Sequence, residues 1–425
     1  MTRDDTDLTE MKAAHPGSPG PPGPGARKAL ARGRNDFCSR GSCRPPARLR
    51  QGRLLIFLLV FLVLAAAYGS PSYAAEPIRI AAIFSQTGIA ATHNEPLISM
   101  VQLAVEDINQ SGGVLKRPIQ LILLDNQSTP IGATMAAEEA VRLDVTAVVG
   151  AHWSSHSLAM APVLQKAGIP MISPGSTNPE VTKTGNYIFR ACFLDSFQGL
   201  AMARFAREDL HAGSAVIVRN MDEAYSVMLA EFFKKAFSGS GGAILLDTEY
   251  RGKAVDFAGI IRKIKSLHPE VVYLPGYTRD SGLFVKQAVK LGLETTFLGG
   301  DAWDEIETYA GEAIEGSYQS APWHPQAPFP MSRYLQNLYS RKFHSQIENM
   351  SAPLAYDAVH LLANAIEQAG SADRALIRQA LAETREFNGA TGVFSFDQNG
   401  DPENKDVIII RYYNGQRSFY KAIKP

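Results

Sequence analysis

From Ile78 onward, short apolar stretches alternate with segments whose apolar residues recur at helical spacing. Residues 78–85 read as a strand. Leu97, Met100, Val101, Ala104, Val105 and Ile108 then fall on one helix face, and Gly112-Gly113 stops that helix. The same rhythm predicts strands over 119–125, 145–151 and 169–173, with helices over 131–143 and 157–167 between them. It resumes with strands at 215–219, 244–248, 271–274 and 296–299. Helices are predicted at 354–369 and 374–382. The chain closes with strands at 407–412 and 419–423, and Asn414-Gly415 between them is a hairpin turn signal.

Strands that alternate with helices predict α/β architecture, with parallel sheets covered on both faces. Two such runs, about 78–191 and 214–300, have similar rhythm and the size of ordinary α/β domains. They predict two separate doubly wound sheets. The length of 425 residues also favours two domains over one.

Ahead of this body lies a different regime. Residues 54–67, LLIFLLVFLVLAAA, are unbroken apolar, preceded by Arg48, Arg50 and Arg53 and followed by Ser72-Tyr73-Ala74. A basic region, a short apolar run and small residues at −3 and −1 predict a signal peptide over 54–74, cleaved after Ala74. The run is short for a transmembrane anchor. Residues 1–53 form a basic leader rich in Pro and Gly, which cannot build a core and reads as disordered; a start codon placed too far upstream accounts for it.

Charge changes the picture only after that leader is set aside. The chain has 42 basic and 42 acidic residues, but 31 basic face 37 acidic ones from Glu76 onward. A mildly acidic body gives no electrostatic footprint for nucleic acid. Of the three cysteines, Cys38 and Cys43 precede the cleavage point, leaving Cys192 alone. That excludes an intramolecular disulfide framework and a cysteine-based metal site in the mature chain.

Open α/β sheets bind ligands beyond the carboxyl ends of their strands. Those positions hold His152-Trp153-Ser154-Ser155 after one strand and Pro174-Gly175-Ser176-Thr177 after the next. In the second half, Tyr225 lies shortly beyond residue 219, Tyr277 beyond 274, and Asp301 ends Leu298-Gly299-Gly300. The set suits a zwitterion. Ser154 and Thr177 hydroxyls, with helix-start N–H groups, can receive a carboxylate. Asp301 and the Gly175 carbonyl can balance an ammonium, and the two tyrosines offer flat walls with polar tips. Taken singly, Ser154 and Asp301 are helix caps and Thr177 a turn residue. Their shared placement is what argues for a site.

Other constellations carry less. His152 and His156 are four apart, but no third metal ligand stands nearby. Ser154 or Ser155 beside His156 could suggest a nucleophile, yet there is no G-x-S-x-G elbow. No phosphate-binding G-x-x-x-x-G-K-[ST] loop and no H-E-x-x-H are present. No cofactor is expected, and the chain reads as a binding protein rather than an enzyme.

From Ile78 to its end the chain resembles the periplasmic leucine/isoleucine/valine-binding proteins of amino-acid ABC transport. The resemblance is carried by Ala104-Val105-Glu106-Asp107-Ile108-Asn109, Val148-Val149-Gly150, the run Ile172 to Pro179, and Phe193-Leu194-Asp195-Ser196-Phe197-Gln198-Gly199. Tyr356-Asp357-Ala358-Val359, Gly392-Val393-Phe394-Ser395-Phe396-Asp397 and Asn399-Gly400-Asp401 follow in the same order. It implies a periplasmic binding protein of type I, whose two doubly wound parallel-sheet lobes are joined by a three-strand hinge. Lobe one would take 76–195 and 322–398, and lobe two 196–321 and 399–425.

The resemblance further implies that Ser154 binds the ligand carboxylate, with Gly175 and Thr177 as carbonyl and hydroxyl partners. Tyr225 and Tyr277 match the two aromatic positions of the second lobe, and Asp301 the ammonium-binding acid, here Asp rather than Glu. The first-loop aromatic matches His93. Trp153 stands where leucine-binding members have a cysteine, and Ser128 where they have its disulfide partner. The implied partners are a small amino-acid-like ligand, branched-chain or otherwise apolar, and the membrane permease of an ABC transporter. Relatives of this fold also bind amides, urea and small aromatic acids, and a sensing role on the same lobes is the alternative.

Overall fold

In the computed structural model, residues 76–252 and 254–425 are described, and they fall within one compact unit, Tyr73–Pro425. The leader, the signal peptide, its cleavage point, Cys38 and Cys43 lie outside the described residues. Fifteen described strands form three sheets.

The first sheet holds β1 (Ile78–Phe84), β2 (Ile119–Asp125), β3 (Ala147–Gly150), β4 (Met171–Ser173) and β5 (Ile188–Arg190), in the order β2-β1-β3-β4-β5. Every pairing is parallel, with Ile80 opposite Leu121 on one side and Ala147 on the other. Side chains alternate across a strand, and β1 is apolar at both phases. Ile78, Ile80, Ala82 and Phe84 join one core with helices Ala91–Gln110 and Ala352–Ala369. Ala81 and Ile83 join the opposite core, beneath helices Pro130–Arg142 and Ser154–Ala167.

The second sheet repeats this logic. It contains β6 (Ser214–Asn220), β7 (Ala243–Tyr250), β8 (Val271–Leu274), β9 (Thr296–Gly299) and β10 (Tyr318–Ala321), joined by β14 (Val407–Tyr413) and β15 (Gln416–Ile423). The order is β15-β14-β10-β9-β8-β6-β7. Ala215 and Ile217 face helices Asp195–Glu208 and Ala224–Gly239, while Val216 and Val218 face Ala258–Lys265 and Thr278–Lys290. The sheet is not wholly parallel: β14 runs antiparallel to β10, and β15 to β14. A two-residue turn at Asn414-Gly415 can join only antiparallel neighbours, so the closing hairpin imposes this edge. A third sheet, β11 (Phe387–Gly389), β12 (Gly392–Phe396) and β13 (Pro402–Glu403), is antiparallel.

The chain passes between the two large sheets three times: between Arg190 and Asp195, after Ala321, and before Val407. Two of these passages are tied by buried charge. The fully buried Arg190 donates from Nε to Asp401 Oδ1 at 2.6 Å and from Nη2 to Thr182 Oγ1 at 2.8 Å, and Nη1 reaches the Ser176 carbonyl. Lys405 Nζ donates to Thr391 Oγ1 at 2.6 Å and lies 4.5 Å above the Phe394 ring. Burial lowers its pKa to about 8. Cys192, on the first passage, is a buried free thiol that burial pushes up to about 12.

Candidate ligand-binding cleft

The carboxyl ends of strands from both large sheets converge on a cleft of about 320 Å³. From the first sheet's side come His93, in the first turn of helix Ala91–Gln110, and Trp153 beyond β3. From the second come Tyr277 beyond β8, together with Glu223 and Asp280. Trp153 occupies the N-cap position of helix Ser154–Ala167, so Ser154 and Ser155 are its first two residues rather than a loop. Their N–H groups belong to the first turn, which lacks helical acceptors. Ser154 is not the cap; its Oγ accepts from Asn178 N at 3.3 Å.

From the cleft inward, aromatic rings lead to a buried acid. Trp153 stacks on Tyr277 with centroids 4.0 Å apart, and Tyr277 on Tyr225 at 5.4 Å. Tyr225 Oη donates to Asp301 Oδ1 at 2.8 Å, and Gln198 Nε2 donates to the same oxygen at 2.8 Å. Gly300 permits this approach, since a Cβ there would sit 2.1 Å from Tyr225 Oη. Asp301 does not cap a helix over 302–310. Only Glu307–Ala310 is helical there, and the carboxylate turns to Tyr225 and Gln198 instead. Burial raises its pKa to about 6 against the pull of those two donors.

Near Asp301 lie buried polar atoms without hydrogen-bond partners among the described residues: Thr177 Oγ1, Gln198 Oε1, Tyr277 Oη and both Asp195 oxygens. Buried polar groups are nearly always paired, so these atoms, gathered where strand ends of both sheets meet, call for a partner from outside the chain such as water or a ligand. Asp195 is held well above the usual carboxylate range by burial and then by the Asp301 charge. Thr177 lies close enough to favour its ionised form, without forming a well-aligned bond.

The remaining candidates divide. Gly175 packs against the His152 ring, where a Cβ would meet Nδ1 at 2.1 Å. Ser176 Oγ is taken up by Ser157 Oγ at 2.7 Å and the carbonyls of Ala151 and His152, so its hydroxyl braces the loop. Ser155 Oγ donates across the cleft to Glu223 Oε2 at 3.4 Å. Burial lowers the pKa of His152 and of His156 to about 4, and lowers that of His93 as well. His156 stacks on Trp153. Among the described residues no group of three or more His, Cys, Asp or Glu could hold a metal ion. Trp303 is fully buried in the second sheet's core against Gly299.

Glu223, Gln198 and Asp195 join the site without having been expected there. Glu223 sits just beyond β6, two residues before Tyr225, so its strand-end position was the signal for it. Its carboxyl is pushed up to about 7 by burial. Asp222 is paired with Arg251 at 3.1 Å and Asp280 with Arg279 at 2.9 Å, whereas among the described residues Glu223 is bonded only by the Ser155 hydroxyl.

Two α/β lobes whose strand ends meet over buried, unpaired polar groups define a two-lobed solute-binding protein. The family profile described as "Periplasmic binding protein" matches residues 77–416, and the chain belongs to that family. It is similar to the leucine-, isoleucine-, valine-, threonine-, and alanine-binding protein of Pseudomonas aeruginosa, 29% identical over 368 residues, which cover 86% of this chain and 98% of that one. Among solved structures it resembles a leucine binding protein, LivK, from Thermotoga maritima, with 34% identity and a TM-score of 0.77, covering 82% of this chain and 99% of that one. It also resembles the branched-chain amino acid transporter substrate binding protein LivJ from Streptococcus pneumoniae in complex with isoleucine. There the identity is 29% and the TM-score 0.78, over 82% of this chain and 100% of that one. The family consists of solute-binding proteins, and among the described residues no helix is long and apolar enough to cross a membrane.

Proposed function

We propose that this protein is exported, captures an amino acid with a branched-chain or other apolar side chain between its lobes, and hands it to an ABC transporter. Lobe one comprises 76–195 and 322–398 together with the segment up to 406, which pairs and packs with it through Pro402–Glu403 and Asp401 rather than with lobe two as the resemblance implied; lobe two comprises 196–321 and 407–425. Ser154 and Thr177, with the first-turn N–H groups, take the carboxylate; Asp301 and the Gly175 carbonyl take the ammonium. Tyr225, Tyr277, Trp153 and His93 bound the side chain, while Ser155 and Ser176 shape the loops that carry the site. The observation that carries this reading is the buried Asp301 carboxylate beside unpartnered Thr177, Gln198 and Tyr277 groups. The ligands of its relatives support it, the Pseudomonas aeruginosa protein being a leucine-, isoleucine-, valine-, threonine-, and alanine-binding protein and LivJ being in complex with isoleucine. Ligand bridging the lobes would stabilise their closed arrangement, the form a permease could read.

A thermal-shift screen of residues 75–425 against amino acids, amides, urea and small aromatic acids tests this. A ligand at a hundred times its dissociation constant adds about 2.7 kcal/mol of stability, a clear rise in melting temperature. Shifts confined to uncharged or acid-only compounds would contradict the amino-acid reading.

The pH dependence has a defined sign. The ammonium pairs with ionised Asp301, whose carboxyl takes up a proton below about 6 in the free protein. Affinity should therefore be full above about pH 7 and fall, by up to about tenfold per unit, as pH drops below 6. His152 and His156, lowered to about 4, stay neutral across that window, whereas Glu223, pushed up to about 7, also takes up a proton within it. Titration calorimetry at pH 5.0 and 7.5 on the wild type and on Glu223→Gln separates the two; equal affinities at both pH values in Glu223→Gln would exclude a charge pair at Asp301.

A further inference from the structure

We propose that Gln198 is a positioning residue for capture of the ligand's ammonium: it grips Asp301 by one carboxylate oxygen, keeps that acid ionised and leaves the other oxygen to the ligand. The inference rests on the reading of Asp301 above and deepens it. Gln198 Nε2 and Tyr225 Oη both donate to Oδ1 at 2.8 Å, and no described side chain bonds Oδ2. An ionised carboxylate only accepts, so the amide must turn its NH2 end towards it, as it does here. The bond is buried along with Gln198, which has no exposed surface.

The grip is held from both sides. Gln198 stands one turn into helix Asp195–Glu208, and Tyr225 stands at the start of helix Ala224–Gly239. These helices meet at Gly199, where a Cβ would lie 2.7 Å from Phe232 Cβ and 2.8 Å from Phe233 N. Any side chain at 199 would push the two donors apart. On the acid's side, a Cβ at Gly300 would lie 2.1 Å from Tyr225 Oη and 3.0 Å from Gln198 Oε1.

The surrounding charges make the grip necessary. Asp301 is 6% exposed, and its ionised form is favoured by Tyr225, Gln198 and its own N–H, with no cation among its partners. The titratable groups that face it are the carboxyls of Asp195 and Asp304, the phenols of Tyr225, Tyr273 and Tyr277, and the Cys192 thiol. Burial holds Asp195 well above the carboxylate range, pushes Asp304 to about 7, and raises the phenols and the thiol above their ordinary values. None of them supplies a positive charge. Hydrogen bonds to an ionised group are about twice as strong as neutral ones, so each donor on Oδ1 counts.

Loss of the donor should move a pH profile, which a purely structural role would not. Gln198→Met keeps the volume and removes the amide. With one donor fewer on Oδ1, the Asp301 carboxyl should titrate about one pH unit or more above its value of about 6. Carboxyl-carbon NMR of protein labelled at aspartate, with Asp301→Asn to assign the signal, reads that midpoint directly. Calorimetry then uses the tightest binder among leucine, isoleucine, valine and alanine. The variant should bind about tenfold more weakly than the wild type at pH 6.5, and the gap should narrow to about threefold or less at pH 8.5. Glu223 and Asp304 titrate in both proteins, so the ratio at each pH isolates Gln198. Gln198→Leu gives the same reading should the methionine variant fold poorly. An unmoved Asp301 midpoint, or a loss equal at both pH values, overturns the inference and leaves the amino-acid reading standing. A raised midpoint with unchanged affinity at pH 6.5, or a wild type that binds none of the four, overturns the reading of Asp301 and the inference with it.

Discussion

Asp301→Ala should weaken amino-acid capture by about 3–5 kcal/mol, a loss of roughly a hundredfold or more in affinity. The magnitude follows from burial. Asp301 is 6% exposed, so a ligand ammonium held against it is removed from water along with the carboxylate. Without the acid, the ammonium is left buried and uncompensated. The truncation also orphans the Tyr225 hydroxyl and the Gln198 amide, which both donate to Asp301 Oδ1. Asp301→Asn separates these effects, since it keeps an acceptor for both donors and removes only the charge. Most of the loss should persist in that variant. Calorimetric affinities of both variants within a factor of three of the wild type would remove Asp301 from the site.

The second large effect concerns stability. Arg190→Ala should destabilise the ligand-free protein by about 3–5 kcal/mol, because it leaves Asp401 buried without its partner. Burial already holds the Asp401 carboxyl above the usual range despite the arginine. The guanidinium also joins the Ser176 carbonyl and Thr182 to a passage between the sheets, so one residue braces a ligand loop and a crossover together. Adding Asp401→Asn to Arg190→Ala should recover part of the loss, since the uncompensated charge is removed. Urea unfolding of the single and double variants measures this. A single-variant loss below about 1 kcal/mol, or no recovery in the double, would show that the pair carries no such weight.

Much of the fold was legible because its physics is periodic. Strands such as Ile119–Asp125 and Val271–Leu274 are apolar runs bounded by polar breaks, and helix Ala91–Gln110 repeats its apolar face over five turns. What escaped was short or lacked a period. Ile188–Arg190 and Tyr318–Ala321 are short and carry polar residues, Arg190 in the first and Gln319-Ser320 in the second, so neither reads as an apolar run; they become strands through pairing with β4 and with β9 and β14. Helix Ser332–Phe343 was missed because its sequence is mostly polar, with buried positions only at Ser332 and Leu335. The antiparallel edge of the second sheet follows from the Asn414-Gly415 hairpin, which was visible, although the identity of its neighbour β10 was not.

The candidate residues were legible as positions, less so in their contacts. Trp153 and Tyr277, which lie beyond strand ends, and His93, which the resemblance supplied, line the cleft, with Tyr225 and Asp301 further in. Nothing in residue type could show that the Ser176 hydroxyl turns inward to Ser157, or that Gln198 reaches across to Asp301. Those are consequences of how loops and helices pack, as is the Trp153–Tyr277 wall that joins residues 124 positions apart.

The central claim is that both charges of a zwitterion are held between the lobes. Its most direct test is titration calorimetry of residues 75–425 at pH 7.5 with the amino acid that gives the largest thermal shift, the acid that lacks its amino group and the amine that lacks its carboxylate. Capture at both ends predicts measurable binding of the amino acid alone, with each analogue weakened at least a hundredfold. Either analogue binding as tightly as the amino acid would contradict it.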